Sequence, residues 1–196
     1  MGICLSIVRV KDATIDEICA SPKKLVHFWL QDDSPEPAPV GLIGRLFGKK
    51  KSEVPKCTAT RVDGDETDVD KAWDAIDYLI SEKRTKLGLA RFITEGGTEI
   101  HEDVGYGGAR AYYSRDVKKI SDLLNEIDLK VLRRSYEPRE MDNSDVYPQF
   151  YVRGGDDIFD YVSTNFLSLK AFLHESASQN EGVLLIFTCR RSPTRR

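Results

Sequence analysis

Several signatures of specialised chemistry are missing from this sequence. Its four cysteines, Cys4, Cys19, Cys57 and Cys189, form no C-x-x-C pair. With no secretory leader in front of them they read as reduced thiols, so neither a disulfide framework nor a redox motif is expected. The three histidines, His27, His101 and His174, lie far apart with no cysteine at ligand spacing, which argues against structural zinc. His101-Glu102 does not open a zincin motif, because Gly105 stands where the second histidine would fall. A nucleophilic Cys-His pair needs only spatial proximity, and nothing in the sequence marks one. No apolar run approaches the roughly 20 residues of a membrane span. Residues 1–10 lack the charged start and long apolar stretch of a signal peptide. A cytoplasmic protein is the expectation.

Basic charge is scarce over most of the chain. The formal net charge is −3 from 29 bases and 32 acids in 196 residues. Eight bases fall in two short segments without acids: Arg45, Lys49, Lys50 and Lys51, then Arg190, Arg191, Arg195 and Arg196. Without them the remainder holds 21 bases against 32 acids, a net of −11. Such a body repels phosphates, so nucleic acid is not an expected partner. It suits a basic protein partner, although acidic surfaces also serve solubility alone.

The length and the 40% hydrophobic content suit one domain, here placed at residues 1–189 with a basic, disordered tail at 190–196. Residues 33–57 interrupt it. Pro35, Pro37 and Pro39 stiffen the first part, and GLIGRLFGKKK (41–51) mixes apolar and basic residues. As a helix this segment would be amphipathic, suited to a membrane surface or an acidic partner. Gly41, Gly44 and Gly48 weaken it, and an exposed insertion is the plainer reading.

Residues 4–10, CLSIVRV, predict a strand, and 183–188 predict another. Thr14 and Glu17 fit a capping box for a short helix to Ala20. Ser21-Pro22 opens a further helix. TATRV (58–62) suggests a short strand, and LARFI (89–93) fits either helix or strand. Asp68 caps a helix to Ser81, with Val69, Ala72, Trp73, Ile76 and Ile80 at helical spacing. Asp70, Asp74 and Asp77 form an adjacent acidic stripe. Gly96-Gly97 marks a turn, and 111–113 reads as extended. Ser114 caps a helix through Ile127, a short helix runs from Asp128 to Tyr136, and a long one spans 156–178. Strands at both ends with helices between predict an α+β fold: a small mixed or antiparallel sheet covered by several helices.

Two motifs invite chemistry. The acidic run 63–70 resembles a calcium loop, but its sixth position is Asp68 where an EF-hand needs glycine, so an acidic loop before a helix cap is the better reading. Gly105-Tyr-Gly-Gly-Ala-Arg110 could cradle a phosphate, yet it matches neither the dinucleotide fingerprint nor a Walker loop. A structural turn anchored by Tyr106 and Arg110 is the alternative. Arg110 is expected to pair with a carboxylate of the acidic stripe. Trp73 reads as core. No catalytic set, metal site or cofactor is expected.

Several segments together resemble a known family: the start MGI, then VDKAWDAIDYLI (69–80), EDVGYGGAR (102–110), MDNSDVYP (141–148) and the closing FLSLKAFLHESASQNEGVLLIF. In order and spacing they are similar to the YfbM-like family, domain of unknown function 1877. The resemblance covers nearly the whole chain apart from residues 33–57 and the tail. It implies a small bacterial cytosolic protein of α+β fold, with no established activity to carry over. The positions matching its motifs are Asp70, Trp73, Gly105, Tyr106, Arg110, Met141, Tyr147 and Pro148. The sequence departs from the family pattern at Asp77, where histidine is usual, at Ser81-Glu82, where a threonine-glycine end is usual, and at Gly108, where proline is frequent.

Together these features give two functional expectations. The first is a protein-interaction module, of the immunity type that neutralises a basic toxin, meeting its partner through Asp70, Asp74 and Asp77 with Glu66 nearby. The second is a small-molecule or nucleotide-binding protein, or an enzyme of unrecognised type. Its site would centre on the loop Gly105–Arg110 with Tyr106 and Tyr147; Trp73 is a candidate for either surface.

Overall fold

The computed structural model describes residues 2–30, 55–60, 62, 64–81 and 91–188. The basic segment 41–51 and the tail 190–196 lie outside the described residues, as does most of the proline-rich insertion.

Among the described residues five strands form one antiparallel sheet: β1 (Cys4–Val10), β2 (Glu66–Asp68), β3 (Thr98–Ile100), β4 (Ala109–Tyr112) and β5 (Gly182–Thr188). Their spatial order is β2-β1-β5-β4-β3. The two terminal strands therefore pair at the centre, over the seven-residue register Cys4↔Thr188 to Val10↔Gly182. All seven residues of β1 are buried. GVLLIFT in β5 reads as a continuous apolar run because helices cover both faces of the sheet, leaving no solvent side for polar alternation.

Among the described residues seven α-helices cover the sheet: α1 (Asp12–Ala20), α2 (Lys24–Trp29), α3 (Trp73–Ile80), α4 (Ser114–Asn125), α5 (Leu129–Ser135), α6 (Pro138–Asn143) and α7 (Tyr151–Ser178). Alternation along the strands sorts their side chains into two cores. Leu5, Ile7, Tyr112, Val183 and Leu185 face the larger one, with α3 to α7. Val8, Val10, Ala109, Ala111, Leu184 and Ile186 face the smaller one, with Ile15, Ile18, Leu25 and Phe28 of α1 and α2. The long helix supplies Val162, Phe166, Leu169, Phe172 and Leu173 at helical spacing. It is interrupted at Gly155, whose φ of 59° only glycine adopts readily. The rod expected over 156–178 is the part beyond that break.

Several expectations change. The first helix begins at Asp12, with Lys11 at its N-cap and no side-chain cap bond, so Thr14 does not cap it. Ser114 is the first residue of α4, not its cap. The Asp12 carboxylate serves that end instead, accepting from Ser114 N and Ser114 Oγ, each at 2.8 Å, so one aspartate from α1 ties the N-terminus of α4 across 102 residues. The described residues of 58–62 carry no strand; the partner of β1 on that side is β2. Of 89–93, residues 91–93 open a turn rather than a helix or a strand.

Candidate functional site

The helix-like stripe of acids turns inward. Asp77 is fully buried and Asp74 nearly so, at 0% and 8% exposure. The Asp77 carboxylate accepts from Ile93 N (3.0 Å), Thr94 N (3.2 Å) and Thr94 Oγ1 (2.6 Å), with Arg91 Nε 3.5 Å away. Burial pushes its pKa up, against these donors and the arginine. Asp74 pairs with Arg91 Nη2 and accepts from Tyr147 N at 2.8 Å. Asp70, at a φ of 47° beside α3, accepts from Tyr161 OH (3.0 Å) and from Cys4 Sγ (3.1 Å). Burial and the neighbouring Asp70 push the Cys4 thiol up to about 12. Asp74 and Asp77 thus anchor residues 91–94 and Tyr147 to α3, while Asp70, in the turn just before it, is tied to β1 and α7; together they do not present an acidic face. Glu66 stands apart in β2, opposite Val8.

Arg110 is likewise not a partner of the stripe; Arg91 fills that role. Arg110 sits on β4 directly across from Glu99 of β3. Its Nη1 donates to Gly96 O at 2.7 Å, and its Nη2 lies 3.7 Å from Glu99 Oε2. The guanidinium is mostly buried, with 17% of the side chain exposed, while Glu99 is about half exposed at 52%. His101 Nδ1 approaches the other oxygen of Glu99 at 3.5 Å.

Around this pair the chain builds a pocket of about 270 Å³, lined by Ile3, Trp73, Thr94, Glu99, Tyr106 and Arg110, with Phe187 and the backbone of Gly108 and Ala109. Each wall is fixed by a contact that can be traced to the sequence. Trp73 Nε1 donates to Ile3 O at 3.0 Å, and Ile3 N donates to Tyr147 OH at 2.9 Å. The Trp73 ring stacks on Tyr147 (centroids 5.5 Å apart) and meets Phe187 edge-on (5.1 Å), arrangements that suit aromatic quadrupoles. Tyr106 projects from the glycine-rich loop and is 47% exposed. That loop is a turn around Asp103, whose Oδ1 accepts from Gly105 N (2.8 Å) and Gly107 N (3.1 Å). These two amides hold the Asp103 carboxyl below its ordinary pKa and point at a protein carboxylate, so they are not the open phosphate cradle the motif suggested.

Of the residues singled out in the sequence, Trp73, Tyr106 and Arg110 meet in this pocket, and Tyr147 supports it from behind Trp73. Asp74 and Asp77 lie a layer deeper, fixing Tyr147 and Thr94. Asp70 and Glu66 are not among its lining residues. Sequence reasoning missed Glu99, Thr94, Ile3 and Phe187. Only Glu99 left a signal, an acid in a short segment before the glycine loop. A larger but more open groove, about 630 Å³, runs along Tyr136, Pro138, Arg139, Glu140, Tyr151 and Val152; it gathers no buried charged group. Among the described residues no group of three or more His, Cys, Asp or Glu side chains is placed to hold a metal ion. None of the described helices is long and apolar enough to cross a membrane.

The model of the family described as Domain of unknown function (DUF1877) matches residues 1–186. Among solved structures, the chain is similar to the crystal structure of a protein of unknown function, YfbM from Escherichia coli. The TM-score is 0.58 at 13% identity, covering 94% of this chain and 99% of that one, a likeness that speaks for the fold alone. No curated protein matches the chain.

Proposed function

The chain belongs to the DUF1877 family, whose description names no activity, and we propose that it is a small-molecule-binding protein whose site is the pocket between Trp73, Tyr106, Glu99 and Arg110. One observation carries this reading: three aromatic side chains and a mostly buried arginine, drawn from α3, the 101–108 loop, β4 and β5, converge on one concavity. Apolar walls with a few convergent polar groups are what small-ligand sites require. Arg110 brings donors suited to an anionic group, and the aromatic walls offer flat apolar area.

The rival reading, an interaction module of immunity type that meets a basic toxin, no longer has Asp74 and Asp77 on the surface expected to meet its partner. It rests on the acidic balance of the body and on the absence of a recognised catalytic set. A basic protein captured from lysate at low salt and released at high salt would favour it over ligand binding.

Trp73 makes the test direct, because Trp29 belongs with the smaller core, on the opposite side of the sheet. In a Trp29→Phe variant, emission comes from Trp73 alone. Titration with a panel of small carboxylates, phosphates, amines and amino acids should give a saturable change for at least one class. Arg110→Met should abolish it while far-UV circular dichroism is retained. A panel that leaves both Trp73 emission and the melting temperature unchanged at millimolar concentrations would contradict the reading.

A further inference from the structure

We infer that the ligand of this pocket is a zwitterion, an α-amino acid with an aromatic or large apolar side chain. The inference rests on the pocket being a ligand site and goes further by assigning its chemical class. Glu99 and Arg110 are cross-strand partners, so their side chains leave the sheet on the same face, side by side. Both line the pocket. Yet their closest approach is 3.7 Å, well beyond the roughly 2.7–2.9 Å of a charge-assisted hydrogen bond. The guanidinium has five N–H donors, of which Nη1 is engaged with Gly96 O. Among the described residues the Glu99 carboxylate meets only long contacts, with Arg110 and with the exposed His101. The mouth of the pocket therefore presents one cation and one anion, adjacent and each with hydrogen-bonding capacity to spare.

A simple anion would meet Arg110 but be repelled by Glu99, and a simple cation would meet the reverse. A ligand carrying carboxylate and ammonium on one carbon satisfies both at once. Its carboxylate faces Arg110 Nη2 and its ammonium faces Glu99. The side chain then lies along Ile3, Trp73 and Phe187, with Tyr106 at the open side. Glu99 acts here as a selectivity residue: it costs a plain carboxylate ligand affinity and returns it only when an ammonium is present.

The experiment compares three probes on the Trp29→Phe protein by Trp73 emission and by calorimetry: L-phenylalanine, 3-phenylpropanoate, which lacks the ammonium, and phenethylamine, which lacks the carboxylate. L-Phenylalanine should bind roughly ten- to a hundredfold more tightly than either analogue, the range expected for losing one charged hydrogen-bonding partner. Glu99→Gln should shrink the preference for L-phenylalanine over 3-phenylpropanoate toward unity while leaving 3-phenylpropanoate binding equal or stronger. An analogue that binds as tightly as L-phenylalanine, or the absence of binding by all three probes, overturns the zwitterion assignment. The broader panel separates this from failure of the pocket itself: another class that perturbs Trp73 and depends on Arg110 leaves the site standing with a different ligand.

Discussion

Replacing Asp77 by alanine should be among the most damaging single changes in the described chain. Asp77 is completely buried and accepts three hydrogen bonds, from Ile93 N, Thr94 N and Thr94 Oγ1, beside the Arg91 guanidinium. Alanine leaves those donors without their acceptor in a site that a methyl group does not refill. Each buried donor left unmade costs about 1–3 kcal/mol, and contributions of neighbours do not simply add. A total of about 3–5 kcal/mol follows, comparable to breaking one side of a buried ion pair. Urea unfolding followed by circular dichroism measures it. The damage should extend to the pocket, since Thr94 is part of its wall and Gly96 O positions Arg110. Asp77→Asn tests the charge separately. Burial holds the folded-state pKa of Asp77 above its ordinary value, so the folded chain binds that proton more tightly than the unfolded chain. The contribution of this group is therefore greatest below the ordinary carboxylate pKa of about 4 and declines as pH rises through the folded value. Asparagine carries no such proton, so the stability gap between wild type and Asp77→Asn should narrow with rising pH. An alanine variant within about 1 kcal/mol of wild type, less than a single buried unpaired donor costs, would refute the anchoring role. A gap that widens with pH would refute the sign.

Gly97→Ala should lose about 1–3 kcal/mol in the same urea assay, because its φ of 68° and a Cβ only 2.7 Å from Ala111 O both oppose a side chain; unchanged stability would mean that this turn relaxes freely. Arg9→Met should cost about 3 kcal/mol by thermal or urea unfolding, since the buried guanidinium pairs with Asp65 (2.7 Å), Glu175 (3.0 Å) and Glu181 (3.2 Å) and joins β1 to the far end of α7; a loss below about 0.5 kcal/mol, the level of an exposed pair, would contradict it. Cys4 is buried, with its thiol pushed up to about 12, so it stays in the unreactive thiol form at pH 8. Iodoacetamide followed by peptide mass spectrometry should find it unmodified in the native protein and modified after denaturation, and native labelling would oppose this.

The elements legible in the sequence were those whose signal is local. CLSIVRV and VLLIF are short β-branched or aliphatic runs that end at polar residues, and they became the paired central strands. The helices α4 and α7 show their apolar spacing over three or more turns. What was not legible depends on partners distant in the chain. Strands β2 and β3 have three residues each with little apolar alternation; they exist because β1 and β4 offer them edges. Helix α6 is a single proline-started turn and a half whose one buried side chain is Met141.

The acidic stripe shows the same limit from the side of function. Spacing placed Asp70, Asp74 and Asp77 together on one side of a helix, and the usual exposure of carboxylates placed that side in solvent. The burial of Asp74 and Asp77, and the half-burial of Asp70, follow from Arg91, Thr94, Tyr147 and Tyr161, which arrive from segments that no local pattern links to α3. The sequence points Arg110 at the wrong carboxylate for that reason: residue types fix which charges must be paired, and only the fold decides that Glu99 stands opposite it. Tyr106 and Arg110, which the glycine-rich motif marks, line one pocket with Trp73, whose helical spacing reads as core.

The central claim, that this pocket is a ligand site, is tested most directly by amide and indole chemical shifts in ¹⁵N-labelled protein titrated with L-phenylalanine and then with the wider panel. The account predicts saturable shifts concentrated at Thr94, Glu99, Tyr106, Arg110 and the Trp73 indole. Shifts that cluster instead along Glu140, Asn143 and Val152, or none at saturating concentrations of every compound, would contradict it.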